Sequence, residues 1–402
     1  MHDLKALGIW LATRELGHEM LTPSTLPSPA FLLDGREQLS FSTNNYLAIA
    51  NSPRLRARAH AALDEYGVGN CESRLLGGNL ALYETLEARL AELKGKDAAV
   101  LFATGYLTNL SVLPALARTG LLARAFGYRA SRRWTHAFFS DEFNHLSIRE
   151  GLRAAESPTR SFRHRDMDDL ERKLADSTAD IKFIVTDGVF SQHGDIAPVP
   201  EMVALAERYD AFIYVDDAHG TGVMGPTGAG TAEHFGVSSE RLIHMGTLSK
   251  AYGCIGGFVA CDTTLAKVLR LGAPAFGFTS TLPPDQAAAV LEAIDIVRDE
   301  PERREQLWTN QRLFVRCMTK AGFSLPATET PIVPLPIGGE VECARIAAEL
   351  RMVGIHVDAI TFPAVPLGQA RLRFIMNAHH TPVQIEQLVS TLRVLAPSLD
   401  EE

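Results

Sequence analysis

Lys250 stands apart from other charge. It lies in the stretch MGTLSKAYGCIGG (245–257), among Gly, Ser, Thr and small apolar residues, with Arg241 and Asp262 as its nearest charged neighbours along the chain. Lysine normally occupies a solvated, charge-rich surface. In a sheltered setting the ammonium is disfavoured and the neutral amine can add to a carbonyl to form a Schiff base. Upstream, Asp216 and His219 stand three positions apart in YVDDAHG (214–220). A carboxylate there can hold a protonated ring nitrogen, and an imidazole can hydrogen-bond a phenolate. A Schiff-base lysine with a carboxylate partner for a pyridinium nitrogen is the arrangement of a pyridoxal-phosphate site. Lys250 and Asp216 therefore point to that cofactor.

Residues this far apart need a scaffold. Short apolar runs that read as buried strands occur at 98–102, 136–140, 181–186, 211–216, 241–245 and 256–260, with helical stretches between several of them. Continuous apolar strands separated by helices indicate an α/β fold, a mostly parallel sheet covered by helices on both faces. In such sheets ligands bind beyond the carboxyl ends of the strands. Those ends deliver TGY (104–106), DEFNH (141–145), DGVFSQHGD (187–195), DDAHG (216–220) and GTLSK (246–250). The last third has its own rhythm. Helices are expected at 285–297, 341–354 and 381–396, the last with a capping box between Thr381 and Gln384, and strands at 331–337 and 371–377. The expected organisation is a segment 1–40 packed on the body, a large domain 41–285 and a smaller C-terminal α/β domain 286–402.

A net charge of −9 over 402 residues excludes nucleic acid as the main partner, since phosphate binding needs a basic surface. Two basic clusters, YRASRR (128–133) and RSFRHR (160–165), read as solvated faces. The motif GTGVMG (220–225) follows a strand but continues PTGAG, so no helix can begin there to receive a dinucleotide. The five cysteines have neither CxxC pairs nor framework spacing and read as free thiols, and no metal set is evident. No apolar run approaches a membrane span, and the first 20 residues read as an amphipathic helix rather than a signal peptide. A cytoplasmic location is expected.

The segments TDGVFSQHGDIAP, VDDAHGTGVMGPTGAG, GTLSKAYG and FTSTLPP, in this order and spacing, resemble those of the α-oxoamine synthase group of fold-type I pyridoxal 5′-phosphate enzymes. The resemblance runs from FSTNNYLAIAN (41–51) to RLRFIMNAHHT (371–381). It implies a decarboxylative condensation of glycine, alanine or serine with an acyl thioester, carried by CoA or acyl-carrier protein, to give an α-amino ketone. The alternatives on the same scaffold are transamination, cleavage, or condensation without decarboxylation. It implies Lys250 as the Schiff-base lysine, Asp216 on the pyridine nitrogen, His219 and Ser191 near the ring oxygen, and His145 over the ring face. Gly105, Tyr106 and Thr247 would hold the phosphate, joined by Thr279 and Ser280 from the second subunit of a homodimer whose active site lies at the interface. Asn44 falls on the substrate side. Arg371 and Arg373 share one face of their strand, so periodicity does not choose between them. The resemblance favours Arg371 as the clamp on the amino-acid carboxylate. Departures from the group are Tyr83, where members carry histidine, Asn79 just upstream, and a longer region at 120–136. These are expected to border the acyl channel, with the basic residues 131–133 meeting a CoA phosphate or an acidic carrier.

Overall fold

A hairpin of β1 (Ala30–Leu33) and β2 (Arg36–Ser40) turns at Asp34–Gly35, where both residues have positive φ, 49° and 73°. An Asp-Gly pair suits this two-residue turn because both central positions need left-handed backbone. The computed structural model describes residues 4–7, 21–26, 29–129 and 132–396, so the helix expected over the first 20 residues falls mostly outside them.

The six apolar runs of the first two-thirds all become strands of one seven-stranded sheet. These are β3 (Ala98–Phe102), β4 (His136–Asp141), β6 (Ile181–Asp187), β7 (Ala211–Asp216), β8 (Leu242–Thr247) and β9 (Gly257–Cys261). The seventh, β5 (Thr159–Phe162), is an edge strand. The order is β3-β9-β8-β7-β6-β4-β5, and β9 alone runs against its neighbours. Alternation along each strand feeds both faces. Val100, Phe138, Tyr214 and Val259 pack under the helices Gly105–Ala117, Leu146–Ala155 and Thr263–Gly272. Phe139, Ile184 and Ile213 face the helices Met167–Ala175 and Val199–Arg208. Each fully buried large side chain contributes roughly 1.5–3 kcal/mol, so residues along the sheet centre fix the strand ends where the polar residues lie.

The C-terminal third contains β10 (Ile332–Gly338), β11 (Ile355–His356), β12 (Asp358–Ile360) and β13 (Ala370–Ile375). β13 lies between β10 and β12, antiparallel to both, while β11 pairs in parallel with β2. The N-terminal hairpin is thus hydrogen-bonded into the C-terminal unit. Its apolar cluster runs continuously from Phe41 and Tyr46 through Leu307 and Phe314 to Phe374 and Leu388. The helix Pro382–Leu395 opens with the expected capping box: Gln384 N–H donates to Thr381 Oγ1 at 3.3 Å, and Thr381 N–H to Gln384 Oε1 at 2.9 Å. The segment after β7 runs as turns through Gly222, Gly225, Gly228 and Gly230, all at positive φ, and the next helix is the four-residue Thr231–His234.

Candidate active site

The carboxyl ends of β3, β4, β6, β7 and β8 converge on a cavity of about 250 Å³. Its walls carry Gly105, Tyr106, His145, Ser191, Asp216, His219, Thr247 and Lys250, eight of the residues expected from the sequence. A second cavity, of about 450 Å³, holds Asn44, Asn45, Asp358 and Arg373 and shares Ser249 and Lys250 with the first. Lys250 is therefore the common wall between them.

Register explains the acid at the floor. β6 and β7 end side by side, with Asp187 opposite Asp216, so two buried carboxylates are neighbours. Burial and the charge of Asp216 push Asp187 well above the usual carboxylate range. The His145 N–H donates to Asp187 Oδ2 at 2.9 Å. Asp216 Oδ2 accepts from Asn109 Nδ2 at 2.6 Å and Oδ1 from the Ala218 N–H at 3.1 Å. Asn109 is itself oriented by the Tyr214 hydroxyl, which donates to its Oδ1 at 2.8 Å.

The histidines have defined tautomers. Burial holds the Tyr46 phenol above its ordinary pKa, and burial together with Lys250 and Arg373 holds His219 well below its own. Tyr46 Oη and His219 Nδ1 are 2.7 Å apart. A protonated phenol donates to Nδ1, leaving Nε2–H as the ring's donor. His145 Nδ1 accepts from the Ser147 N–H at 3.2 Å and lies 2.8 Å from the Ser147 hydroxyl, whose oxygen accepts from Asn109. His145 is exposed to the cavity, and the Tyr106 ring meets it edge-on at 6.4 Å.

At the opposite end the helix Gly105–Ala117 begins, with Thr104 accepting from the Leu107 N–H. A helix N-terminus with free N–H groups is an anion site. The approach is tight: a Cβ on Gly105 would lie 2.9 Å from Thr247 Oγ1, and one on Gly257 would lie 2.7 Å from the Gly105 backbone. Thr247 Oγ1 lies 2.9 Å from Ser249 Oγ. The cavity thus offers a carboxylate at one end, hydroxyl and amide donors at the other, an imidazole at the side and an amine in the wall. This donor set fits pyridoxal 5′-phosphate.

Burial brings the Lys250 amine down to about 8, against the opposing pull of Asp216 and Asp187. Since the neutral amine is the nucleophile, the ligand-free protein should capture the cofactor aldehyde faster as pH rises, with half the limiting rate near pH 8. Stopped-flow absorbance from pH 6 to 10 checks this. A midpoint near 10.5, that of an ordinary lysine, would contradict it.

The resemblance favours Arg371 as the carboxylate clamp. Although buried, it lines neither cavity; its Nη1 donates to Gln192 O at 3.1 Å and its Nε to Gln369 O at 3.3 Å. Arg373, two residues on, lines the second cavity, pairs with Asp358 at 3.1 Å and keeps a buried Nε with no partner among the described residues. Asn44 Oδ1, in the same cavity, is also buried and has no partner among the described residues. Thr279 and Ser280 are exposed and line neither cavity, as is the neighbouring Phe278.

The departures also lie elsewhere. Tyr83 is fully buried and donates to Leu282 O at 2.8 Å, while Asn79 lines a separate cleft with Arg74 and Arg270. The helix Thr119–Ala125 lies beyond the far end of Gly105–Ala117, which spans 13 residues, roughly 20 Å from the cavity. Arg132 pairs there with Asp180. Within this chain none of the described residues of 120–136 lines the Lys250 cavities; Ala130 and Ser131 lie outside the described residues.

Asp187, Asn109, Ser147 and Tyr46 also belong to the site, without a motif that marks them in the sequence. Asp187 and Asn109 become visible only through strand register and helix placement. Tyr46 lies within FSTNNYLAIAN (41–51), and only the fold brings it to His219.

A model of the aminotransferase class I and II family matches residues 36–392. The chain is 38% identical to an 8-amino-7-oxononanoate synthase of Symbiobacterium thermophilum, over 97% of this chain and 94% of that one. It is 40% identical to an 8-amino-7-oxononanoate synthase of Lysinibacillus sphaericus, over 92% and 91%. A solved serine palmitoyltransferase holding PLP superimposes with a TM-score of 0.89 at 28% identity, covering 99% of this chain and 97% of that one.

Proposed function

This chain belongs to the aminotransferase class I and II family, within its α-oxoamine synthase group, and from that premise we propose how its residues divide the work. It is a pyridoxal 5′-phosphate-dependent acyltransferase. It condenses an amino acid with an acyl thioester, releasing the thiol and carbon dioxide and leaving an α-amino ketone. The observation that carries the assignment of roles is Lys250, an amine of depressed pKa in the wall between an Asp216 cavity and an Arg373 cavity.

Asp216 would hold the cofactor's ring nitrogen, His219 Nε2–H and Ser191 its ring oxygen, and His145 its face. The N-terminus at Gly105–Tyr106, with Thr247, would hold its phosphate. When bound, the cofactor supplies an electron sink for the carbanion formed next to the amino-acid nitrogen. Arg373 would orient the amino-acid carboxylate, with Asn44 alongside. Lys250 Nζ, neutral above about pH 8, would take the α-proton. The proposal includes the division into 41–285, which supplies Lys250 and Asp216, and 286–402, which supplies Arg373. It also includes a homodimer, supported by the exposure of Phe278, Thr279 and Ser280, and a cytoplasmic location, in line with the bacterial biosynthetic relatives. Glycine, alanine and serine are the amino-acid candidates, and CoA or a carrier protein the thioester carrier.

Incubation of the PLP-loaded protein with acyl-CoA and each amino acid in turn, followed by thiol release and product mass, tests the reading. Thiol should appear only when one of the three amino acids is present. A keto acid formed from the amino acid without thioester would replace condensation by transamination.

A further inference from the structure

His164 follows the edge strand β5, within the basic cluster RSFRHR (160–165). Its two ring nitrogens each meet a carboxylate: Nδ1 lies 3.0 Å from Asp141 Oδ1, and Nε2 lies 2.8 Å from Asp195 Oδ2. Ionised carboxylates only accept, and a neutral imidazole has one donor. Both contacts are hydrogen bonds together only when the ring carries both protons. Its neighbours favour that state, with Asp141 and Asp195 raising His164 to about 9 against its burial.

The two carboxylates belong to different active-site loops. Asp141 ends β4 and opens the loop to His145; its Oδ1 also accepts from the Phe143 N–H and its Oδ2 from the Arg165 N–H. Asp195 closes the turn from Val189 to Ile196, whose tip carries Ser191. The same tip touches the substrate side: Ser191 O accepts from Arg373 at 3.4 Å, and Gln192 O accepts from Arg371. Between the loops the Phe143 and His193 rings stack at 4.3 Å, and His164 packs on Phe143 and Phe190.

We propose, resting on the function above, that His164 is a positioning residue: its imidazolium ties the His145 loop to the Ser191 turn and thereby sets where Arg373 meets the amino-acid carboxylate. Other groups facing it are Glu142, which accepts the His164 N–H at 2.8 Å, Arg165, whose Nη1 lies 3.5 Å from Asp195, and His193. His193 is driven down to about 4 by burial and by Arg371, so it stays neutral while His164 titrates. The tie is complete at neutral pH and weakens as pH rises through about 9.

Imidazole ¹⁵N NMR of the full chain, with the His164 signals assigned by their loss in His164→Gln, reads the protonation directly and needs no turnover. Both nitrogens should remain protonated at pH 8 and titrate near pH 9; a ring that is neutral at pH 7.5 overturns the proposal. In His164→Gln the amino-acid KM should rise roughly tenfold while kcat stays within about threefold. His164→Lys, which keeps a charge and several donors, should recover most of that loss. An unchanged KM in His164→Gln overturns the proposal. If that variant fails to fold, Asp195→Asn is decisive. The imidazole that titrates near pH 9 in the wild type should titrate about one unit lower in this variant, which also assigns it, and the alkaline limb of kcat/KM should move with it. A limb that stays in place refutes the link. A chain with no condensing activity sinks the proposed function instead, leaving the NMR result to stand by itself.

Discussion

Lys250→Ala is expected to lower turnover by at least roughly 10³-fold, since in the proposed mechanism one amine serves as both the covalent anchor for the cofactor and the base that takes the α-proton. The variant still folds, because Lys250 makes no hydrogen bond that holds a secondary-structure element among the described contacts, and alanine leaves the apolar clusters untouched. Borohydride reduction of the PLP-loaded wild type, then peptide mass, places a pyridoxyl group on the Lys250 peptide. The variant carries none. Its Asp216 end and its Gly105 end remain, so it retains weaker, non-covalent cofactor binding. Turnover within tenfold of wild type would remove Lys250 from the mechanism.

The second large effect separates two arginines on one strand. Arg373→Ala raises the amino-acid KM roughly 100-fold, about 2.7 kcal/mol, as expected for loss of a charged partner to a carboxylate. Arg371→Ala leaves that KM within about threefold. It costs about 1–3 kcal/mol of stability instead, because it strands the carbonyls of Gln192 and Gln369. Steady-state kinetics and urea unfolding on the two variants give the comparison. The reverse pattern would return the carboxylate clamp to Arg371.

Why the sequence does not separate these two is a matter of geometry. Residues two apart on a strand face the same way, so alternation assigns Arg371 and Arg373 one environment. Position along the strand decides: Arg373 lies opposite Asp358 and Pro334, toward Ser191, while Arg371 lies opposite Ile360 and Pro336. The central strands are legible because continuous apolar runs such as 99–102 and 213–215 are buried from both faces. β5 escapes because TRSF is an exposed edge with only Phe162 buried. The β1–β2 turn was readable in Asp34–Gly35, though the expectation for 1–40 went no further than packing. Lys250, Asp216 and His219 stand out in the sequence because they sit at strand ends within short motifs, and the structure places all three on one cavity. Asp187 needed the β6–β7 register, since nothing local says that its neighbour is another carboxylate.

The wall that Lys250 forms between two chambers has a use for ligand design. A molecule built to reach from Asp216 past the lysine to Arg373 would engage both ends through one backbone. The second contact would then be intramolecular, and the translational freedom that two separate ligands each lose would be lost once. Its affinity should exceed that of either half by far more than their contact areas suggest. The gain should vanish for spacers too short to pass Ser249 and Lys250.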